Sequence, residues 1–307
     1  MVARFPIENA CQAEGYKPMV QVLFQPDRED YLNSKFNQTV AFRTHPTLGV
    51  TFWEGSHAMP LQVFTLRERP ELRSVIFAAD FFSIWPEYML HDPVASLYFS
   101  APLLDQYLDY ILIGIDGGDV VARGFSVPFA FNIPGRKELP DGGWDDVIRW
   151  AHEDLNLRRP PTAVSALEIS LLAPARSQGN SQRMLEAMKA NTRVRGFADL
   201  YAPVRPNQKH LQPFMPMKDY LAAARADGLP SDAWLRTHVR IGGRIVKIAP
   251  YAMTIVGTVA QWSKWTGMTF VTSGVVAVAG ALSPIHICLE QDHGVYIEPG
   301  VWVHHAL

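Results

Sequence analysis

Three observations in the sequence predict an α+β fold, with strands paired in hairpins and helices packed against them. Residues 164–173 form an apolar run, with Glu168 and Ser170 on alternate positions, that breaks at Pro174 and gives way to helical spacing. Residues 109–132 hold two β-rich runs on either side of Gly117-Gly118-Asp119, a hairpin turn. Helical periodicity recurs within residues 68–107, 144–156 and 217–227.

In chain order, Pro6, Pro18, Pro26, Pro46 and Pro60 are spread among short apolar runs such as Met19–Phe24, so residues 1–65 predict short strands joined by turns. Glu54 and His57 in this segment suit either an acid–base pair or a polar turn. Over 68–107, Val75, Ile76, Ala79 and Phe82 share one helical face, and Pro86 suits the first turn of a second helix. After the 109–132 hairpin comes a loop, then a helix over Trp144–Asn156 whose acidic start matches the helix dipole. Arg158-Arg159-Pro160-Pro161 ends it, and the 164–173 strand follows. The next helix begins at Ser181, with Met184, Leu185 and Met188 on one side. Phe197–Val204 predicts a strand, 217–227 a helix stopped by Gly228, and 235–256 a hairpin about Gly242-Gly243. Residues 257–307 alternate short strand runs with glycine turns.

The turn Arg176-Ser177-Gln178-Gly179-Asn180-Ser181 lies where a strand meets a helix N-terminus. The first N–H groups of a helix lack internal partners and the dipole adds partial positive charge there, which suits a phosphate. Gly179 lets a ligand approach the backbone, Ser181 can cap, and Arg176 offers a charge-assisted contact. An ordinary strand-to-helix turn has the same pattern.

The run from Leu171 to Ser181, followed by a helix and then Gly196-Phe197 through Asn207, resembles the acyl-CoA signature of the GNAT superfamily of N-acyltransferases. That signature has Arg or Gln, two residues, Gly, one residue, then Gly or Ala; Ser181 stands in the last place. The resemblance spans residues 66–265 and implies a GNAT-like mixed, mostly antiparallel sheet flanked by helices. Residues 1–65 would then be an N-terminal extension, and residues 266–307 C-terminal strands that complete or cover the core. By the same resemblance, an acyl group, acetyl first among the choices, passes from acetyl-CoA or another acyl-CoA to the amine of a small-molecule acceptor. Transfer would be by direct attack in a ternary complex.

The cofactor-binding residues that follow from the resemblance are Leu171, Leu172 and Ala173 at the strand end, Arg176, Ser177, Gln178, Gly179, Asn180 and Ser181 in the loop, and Asn207. Glu168 is the implied general base and Tyr220 the implied general acid, although Pro213 and Pro216 interrupt the stretch where the family runs straight into a helix. Glu168 also suits an outward or salt-bridged position. Trp85, Glu87, Tyr88 and His91 fall on the acceptor side, where Trp85 and Tyr88 are equally in character as core aromatics. A GNAT-shaped protein that binds CoA without catalysis, as a sensor or interaction partner, fits the loop equally well. So does a donor carried on an acyl carrier protein.

Composition narrows the rest. The 307 residues are 48% hydrophobic and 19% charged, the balance of a globular chain. A net charge of −2 supplies no basic stripe for nucleic acid. The apolar region 252–288 is interrupted by Gln261, Lys264 and glycines, so no membrane span is expected, and a cytoplasmic location follows. Cys11 and Cys288 are far apart and in no metal-binding spacing, so no metal is expected. His304 and His305 near the terminus suit surface positions. There is no Gly-x-Ser-x-Gly elbow for a serine hydrolase.

Overall fold

The computed structural model describes residues 61–307 except Ser177, and the readings placed on residues 1–60, including Glu54, His57 and Cys11, lie outside it. Strands β1 (Gln62–Thr65), β2 (Ile111–Asp116), β3 (Asp119–Phe129) and β4 (Ala163–Leu171) form an antiparallel run in sequence order. The predicted hairpin is the β2–β3 turn, where Gly117 and Gly118 take φ of 58° and 95°, a region that disfavours other residues. β4 pairs in parallel with β5 (Asp199–Val204). Beyond β5 lie β9 (His293–Ala306), β8 (Ile285–Cys288) and β7 (Gly274–Val276), and β6 (Arg244–Gly257) also pairs with β9. The sheet is therefore mixed and mostly antiparallel.

Helices cover both faces. On one, α1 (Gly143–Asn156) lays Val147, Ile148 and Ala151 against Ile111, Ile113, Phe125 and Phe129. On the other, α2 (Asn180–Val194) lays Met184, Leu185 and Met188 against Leu112, Ala122, Val164 and Ala166. Each such side chain, taken fully out of water, contributes about 1.5–3 kcal/mol. A third cluster joins Tyr88, Ile255, Ile285 and Tyr296 to Trp262 of α5 (Val259–Thr266).

Several elements differ from expectation, each for a local reason. Residues 68–107 are single helical turns (Arg73–Ile76, Ala79–Phe82, Ser96–Phe99, Ala101–Leu104) and 3-10 segments, not two helices. Pro70, Pro86, Pro93 and Pro102 each remove a backbone donor and restart the chain. The 217–227 helix is shorter, α3 (Met217–Ala222). The hairpin expected over 235–256 is instead a helix, α4 (Ala233–Arg240), followed by β6. Asp232 accepts the N–H groups of Trp234 and Leu235, so the segment starts as a helix despite its alternating residues. Thr258 and Gln261 form a capping box that starts α5 inside a region expected to hold only strands and turns. β9 runs unbroken past Pro299, because Pro299 falls where β6 leaves register between Ala249 and Met253 and no ladder donor is needed.

His304 and His305 are not surface residues. His304 bonds Asp199 at 2.6 Å and stacks on Tyr201, while His305 is buried against His238 at 2.9 Å. Burial lowers His238 to a pKa of about 3 and His305 to about 4, so the pair is neutral at ordinary pH. Cys288 is a free, half-buried thiol. No helix among the described residues is long and apolar enough to cross a membrane.

Candidate active site

β4 and β5 begin as neighbours and then part. Their pairing is confined to Val164 with Leu200 and Ser165 with Tyr201, yet β4 continues to Leu171 and β5 to Val204. A wedge opens between the strands, and among the described residues the β4 edge from Ala166 onward has no strand paired to it on that side. The parting coincides with a bulge: Phe125 faces Glu168 and Ser126 faces Ala166, so Leu167 is an extra residue in β4. The carbonyl of Leu167 accepts the indole N–H of Trp144, in α1, at 3.1 Å.

At the open end of the wedge β4 runs into the signature loop. Arg176 folds back, its Nε–H donating to the Leu171 carbonyl at 3.0 Å, and the Gln178 amide donates to the Pro174 carbonyl at 2.9 Å. Asn180 is buried and closes the loop, giving an N–H to the Ala175 carbonyl at 3.1 Å and accepting from Arg183 at 2.8 Å. Gly179 is left-handed at φ 76°, caps α2 without a side-chain hydrogen bond, and has nothing within 4 Å of the position a Cβ would take. Among the described residues no N-cap side chain takes up the first N–H groups of α2. Arg176, Gln178 and Gly179 are exposed, Ser181, Leu171 and Leu172 are half-buried, and Ala173 is exposed. Asn207 is exposed just past the end of β5.

Glu168 points to the α1 face of the sheet. Its Oε1 accepts Nε–H of Arg123 at 2.7 Å and the Ser170 hydroxyl at 2.7 Å. Arg123 is nearly inaccessible, donates also to the Ile76 carbonyl at 2.7 Å, and lies 5.0–5.3 Å from the ring centroids of Phe81, Phe82 and Phe125. The salt-bridged alternative for Glu168 is the one observed. Arg123 was not singled out from sequence, although a lone charge inside an apolar strand, facing a strand with a lone acid, is a legible signal. Trp144 had no such signal, since its partner is a backbone carbonyl.

Tyr220 is engaged within the protein. It is buried in the cluster beneath α2, its hydroxyl donates to Asp232 at 2.7 Å, and burial with that bond raises its pKa well above the usual phenol value. It ties α3 to the cap of α4. On the acceptor side, Tyr88 is only 1% exposed and packs on Trp262 and Tyr296, so it is a core aromatic with no surface for a ligand. Trp85 is half-buried, Glu87 is exposed and bonds His91 at 3.2 Å, and His91 stacks on Trp265.

Beside Trp144 lies a buried pair of carboxyl groups. Asp145 accepts the Thr254 N–H at 3.2 Å and Asp92 accepts the N–H groups of Val94 and Ala95, while Asp92 Oδ2 and Asp145 Oδ1 are buried with no donor among the described residues, so one proton shared between the two carboxyl groups would satisfy both. Burial raises both, with the neighbouring Asp92 charge adding to the effect on Asp145. Among the described residues no group of three or more His, Cys, Asp or Glu side chains is placed to hold a metal ion.

No family model matches the chain. Over 272 residues it is 30% identical to the arginine N-acetyltransferase avaD of Aspergillus versicolor, an alignment that spans 79% of this chain and 93% of that protein. Among solved structures it is similar to the loading GNATL domain of CurA from Lyngbya majuscula, at 16% identity and a TM-score of 0.44 over 80% of this chain and 97% of that one. It is also similar to a polyamine N-acetyltransferase of Drosophila melanogaster, at 11% identity and a TM-score of 0.37 over 80% of this chain and all of that one (100%). The parted strands and the curated relative define the chain as an acyltransferase. It belongs to the GNAT superfamily of N-acyltransferases.

Proposed function

We propose that this protein transfers an acetyl group from acetyl-CoA to the amine of a small, basic acceptor of the arginine type, by direct attack in a ternary complex. The observation that carries this reading is the meeting of the parted β4 and β5 with an uncapped α2 N-terminus at the same end of β4. The arginine acceptor of the avaD relative supports the choice of acceptor. In this reading the free β4 edge, ending in Leu171, Leu172 and Ala173, hydrogen-bonds the pantetheine arm as a missing strand would. Arg176, Ser177, Gln178, Gly179, Asn180 and Ser181 surround the pyrophosphate at the helix N-terminus, and Asn207 flanks the wedge from β5.

Glu168 is the proposed base. Arg123 and Ser170 both bond Oε1, which fixes the carboxylate while it takes a proton from the attacking amine. The new C–N bond forms as the C–S bond breaks, and the thiolate takes up the proton that the amine released. The Tyr220 hydroxyl donates to Asp232, so this reading does not draw the proton from Tyr220.

Calorimetric titration of acetyl-CoA into the protein and its Gly179→Trp variant tests the site. The position of a Cβ at Gly179 is open, so the indole is aimed at the space assigned to phosphate and binding should vanish; because a side chain is strained at φ 76°, thermal melting checks that the variant is folded. Arginine and agmatine would then head an amine screen. Unchanged binding by the variant would move the donor away from the loop, and no binding by the wild type would leave a carrier-protein donor or a non-catalytic fold.

A further inference from the structure

Arg205 follows Val204, the last residue of β5, and so stands on the wall of the wedge across from β4. Counted along the two strands from the Val164–Leu200 pair, it comes level with Ile169 and Ser170. Leu200, Ala202 and Val204 pack beneath α2 and Tyr201 packs on the α1 side, so the alternation of a strand sends Arg205 to the α1 face, the face that Glu168 takes. Its partner Glu298 reaches the same face by the alternation that runs along β9 from Trp302.

The ion pair is asymmetric. The Arg205 Nε–H lies 3.0 Å from both Glu298 oxygens, and Nη2 donates to the Gly280 carbonyl. Glu298 also accepts the Tyr296 hydroxyl at 2.6 Å, and that hydroxyl oxygen takes the Leu282 N–H at 2.8 Å. A Cβ at Gly280 would come 2.8 Å from Pro86 and 3.7 Å from the Tyr88 hydroxyl, so the clamp lies against the segment that the family resemblance puts on the acceptor side. The Glu298 side chain is sealed at 3% exposure, whereas Arg205 keeps 22%, and among the described residues no acceptor meets its Nη1. What the clamp leaves accessible is therefore a cation, held in one plane and short of an acceptor. A planar guanidinium with N–H groups to spare matches a carboxylate.

We propose that Arg205 is an acceptor-binding residue that takes a carboxylate of the amine substrate, which makes the acceptor an α-amino acid and not a bare amine. The inference rests on the proposed reading of the wedge and of Glu168 as the base, and it narrows the arginine-type acceptor to one that keeps its α-carboxylate. In an α-amino acid the carboxylate and the amine share one carbon. A carboxylate held on the β5 wall thus turns the amine toward the β4 wall, where Glu168 lies on the same face. Glu298 and the Gly280 carbonyl fix the guanidinium before the substrate arrives, so little freedom is lost when the carboxylate binds.

The test compares arginine with arginine amide, in which a neutral amide replaces the carboxylate. The amine of the amide is the less basic of the two, so a preference for arginine reports the carboxylate and not the supply of neutral amine. With saturating acetyl-CoA, kcat/KM for arginine should exceed that for the amide by about 10- to 100-fold, the effect of one hydrogen bond to a charged group. Arg205→Met alone would strand the buried Glu298, so the variant is Arg205→Met/Glu298→Gln, with Arg205→Lys beside it. The double variant should lose the preference to within about threefold, through a higher KM for arginine, and bind acetyl-CoA within about twofold of the wild type. Arg205→Lys, a point charge without the fork, should fall between. A clamp with only a structural role would depress both substrates alike. Thermal melting checks that each variant is folded, and the wild-type comparison needs no variant. A wild type that uses both substrates equally, or a folded double variant that keeps the preference, would overturn the inference and leave the proposed transfer standing. Lost acetyl-CoA affinity in the double variant would also overturn it, by giving Arg205 to the phosphates of the donor. Failure of the wild type to acetylate either substrate would strike down the arginine-type reading itself, and the inference with it.

Discussion

Glu168 holds an ion pair and, in the proposed reading, is also the base, and mutation can separate the two. Its ion pair with Arg123 joins side chains only 11% and 3% exposed, so Glu168→Ala leaves a buried guanidinium with the Ile76 carbonyl as its remaining hydrogen-bond partner among the described residues. Stranding a buried charge costs about 3–5 kcal/mol, whereas removing both partners costs less. Glu168→Ala is therefore expected to lower the unfolding free energy in denaturant by roughly that amount, and Arg123→Met/Glu168→Ala to recover part of it. If Glu168 is the base, neither variant regains activity, and kcat stays down by about 10²-fold or more. An active double variant would take Glu168 out of the chemistry. Tyr220→Phe should behave in the opposite way, losing about 1–3 kcal/mol through the bond to Asp232 while kcat stays within a few-fold. A stable Tyr220→Phe protein without activity would return the tyrosine to catalysis. The sequence showed Glu168 but not its commitment, because an ion pair across two strands depends on register, and register here passes through a bulge.

Elements were legible where one physical signal dominated. The change of period at 171–184 marked β4, the loop and α2, and the glycine turn marked β2–β3. α4 was misread because Leu235 to Ile241 alternates like a strand, and the deciding signal was the Asp232 cap just before it. The start of α1 carries a consequence that periodicity could not show. Asp145 is raised from 3.8 to about 8 by burial and by Asp92. Among the described residues the charged group placed to oppose this is Arg149, 3.8 Å from Asp145 and half exposed on the same helix, while β6 and the 92–95 turn offer backbone N–H groups. An acid raised on folding binds its proton more tightly in the folded state. Its contribution is full below the unfolded pKa and is lost as pH rises through the folded one. The melting temperature should thus fall between about pH 4 and pH 9 by a component that Asp145→Asn removes, since the amide keeps an acceptor for Thr254 and a donor for Asp92. Parallel melting curves for the two proteins across that range would sink the shared-proton account.

At the scale of the whole molecule, one sheet runs through both of the expected divisions, at 65/66 and 265/266. β1 lies on the N-terminal side of the first division and pairs with β2. Beyond the second lies β9, which pairs with β5, β6 and β8 and buries Tyr296, Glu298, Val301, Trp302 and Val303. Such long-range pairing leaves no local trace, since a strand's partner is set by topology and not by spacing. Glu298 adds a polar lock, accepting both oxygens' worth of contact from Arg205 at 3.0 Å and the Tyr296 hydroxyl at 2.6 Å. Burial of one large apolar side chain is worth about 1.5–3 kcal/mol, and a domain's whole net stability is about 5–15 kcal/mol. Removing β9 takes away several such side chains and strips β5 and β6 of their shared neighbour, so the loss exceeds what the remainder can sustain. A chain ended after Thr266 is therefore expected to show no cooperative thermal transition and no acetyl-CoA binding, in calorimetry and near-ultraviolet circular dichroism alike. A cooperative melt from that shortened chain would instead establish residues 66–265 as a self-standing unit, with the last strands as a cover laid over a finished core.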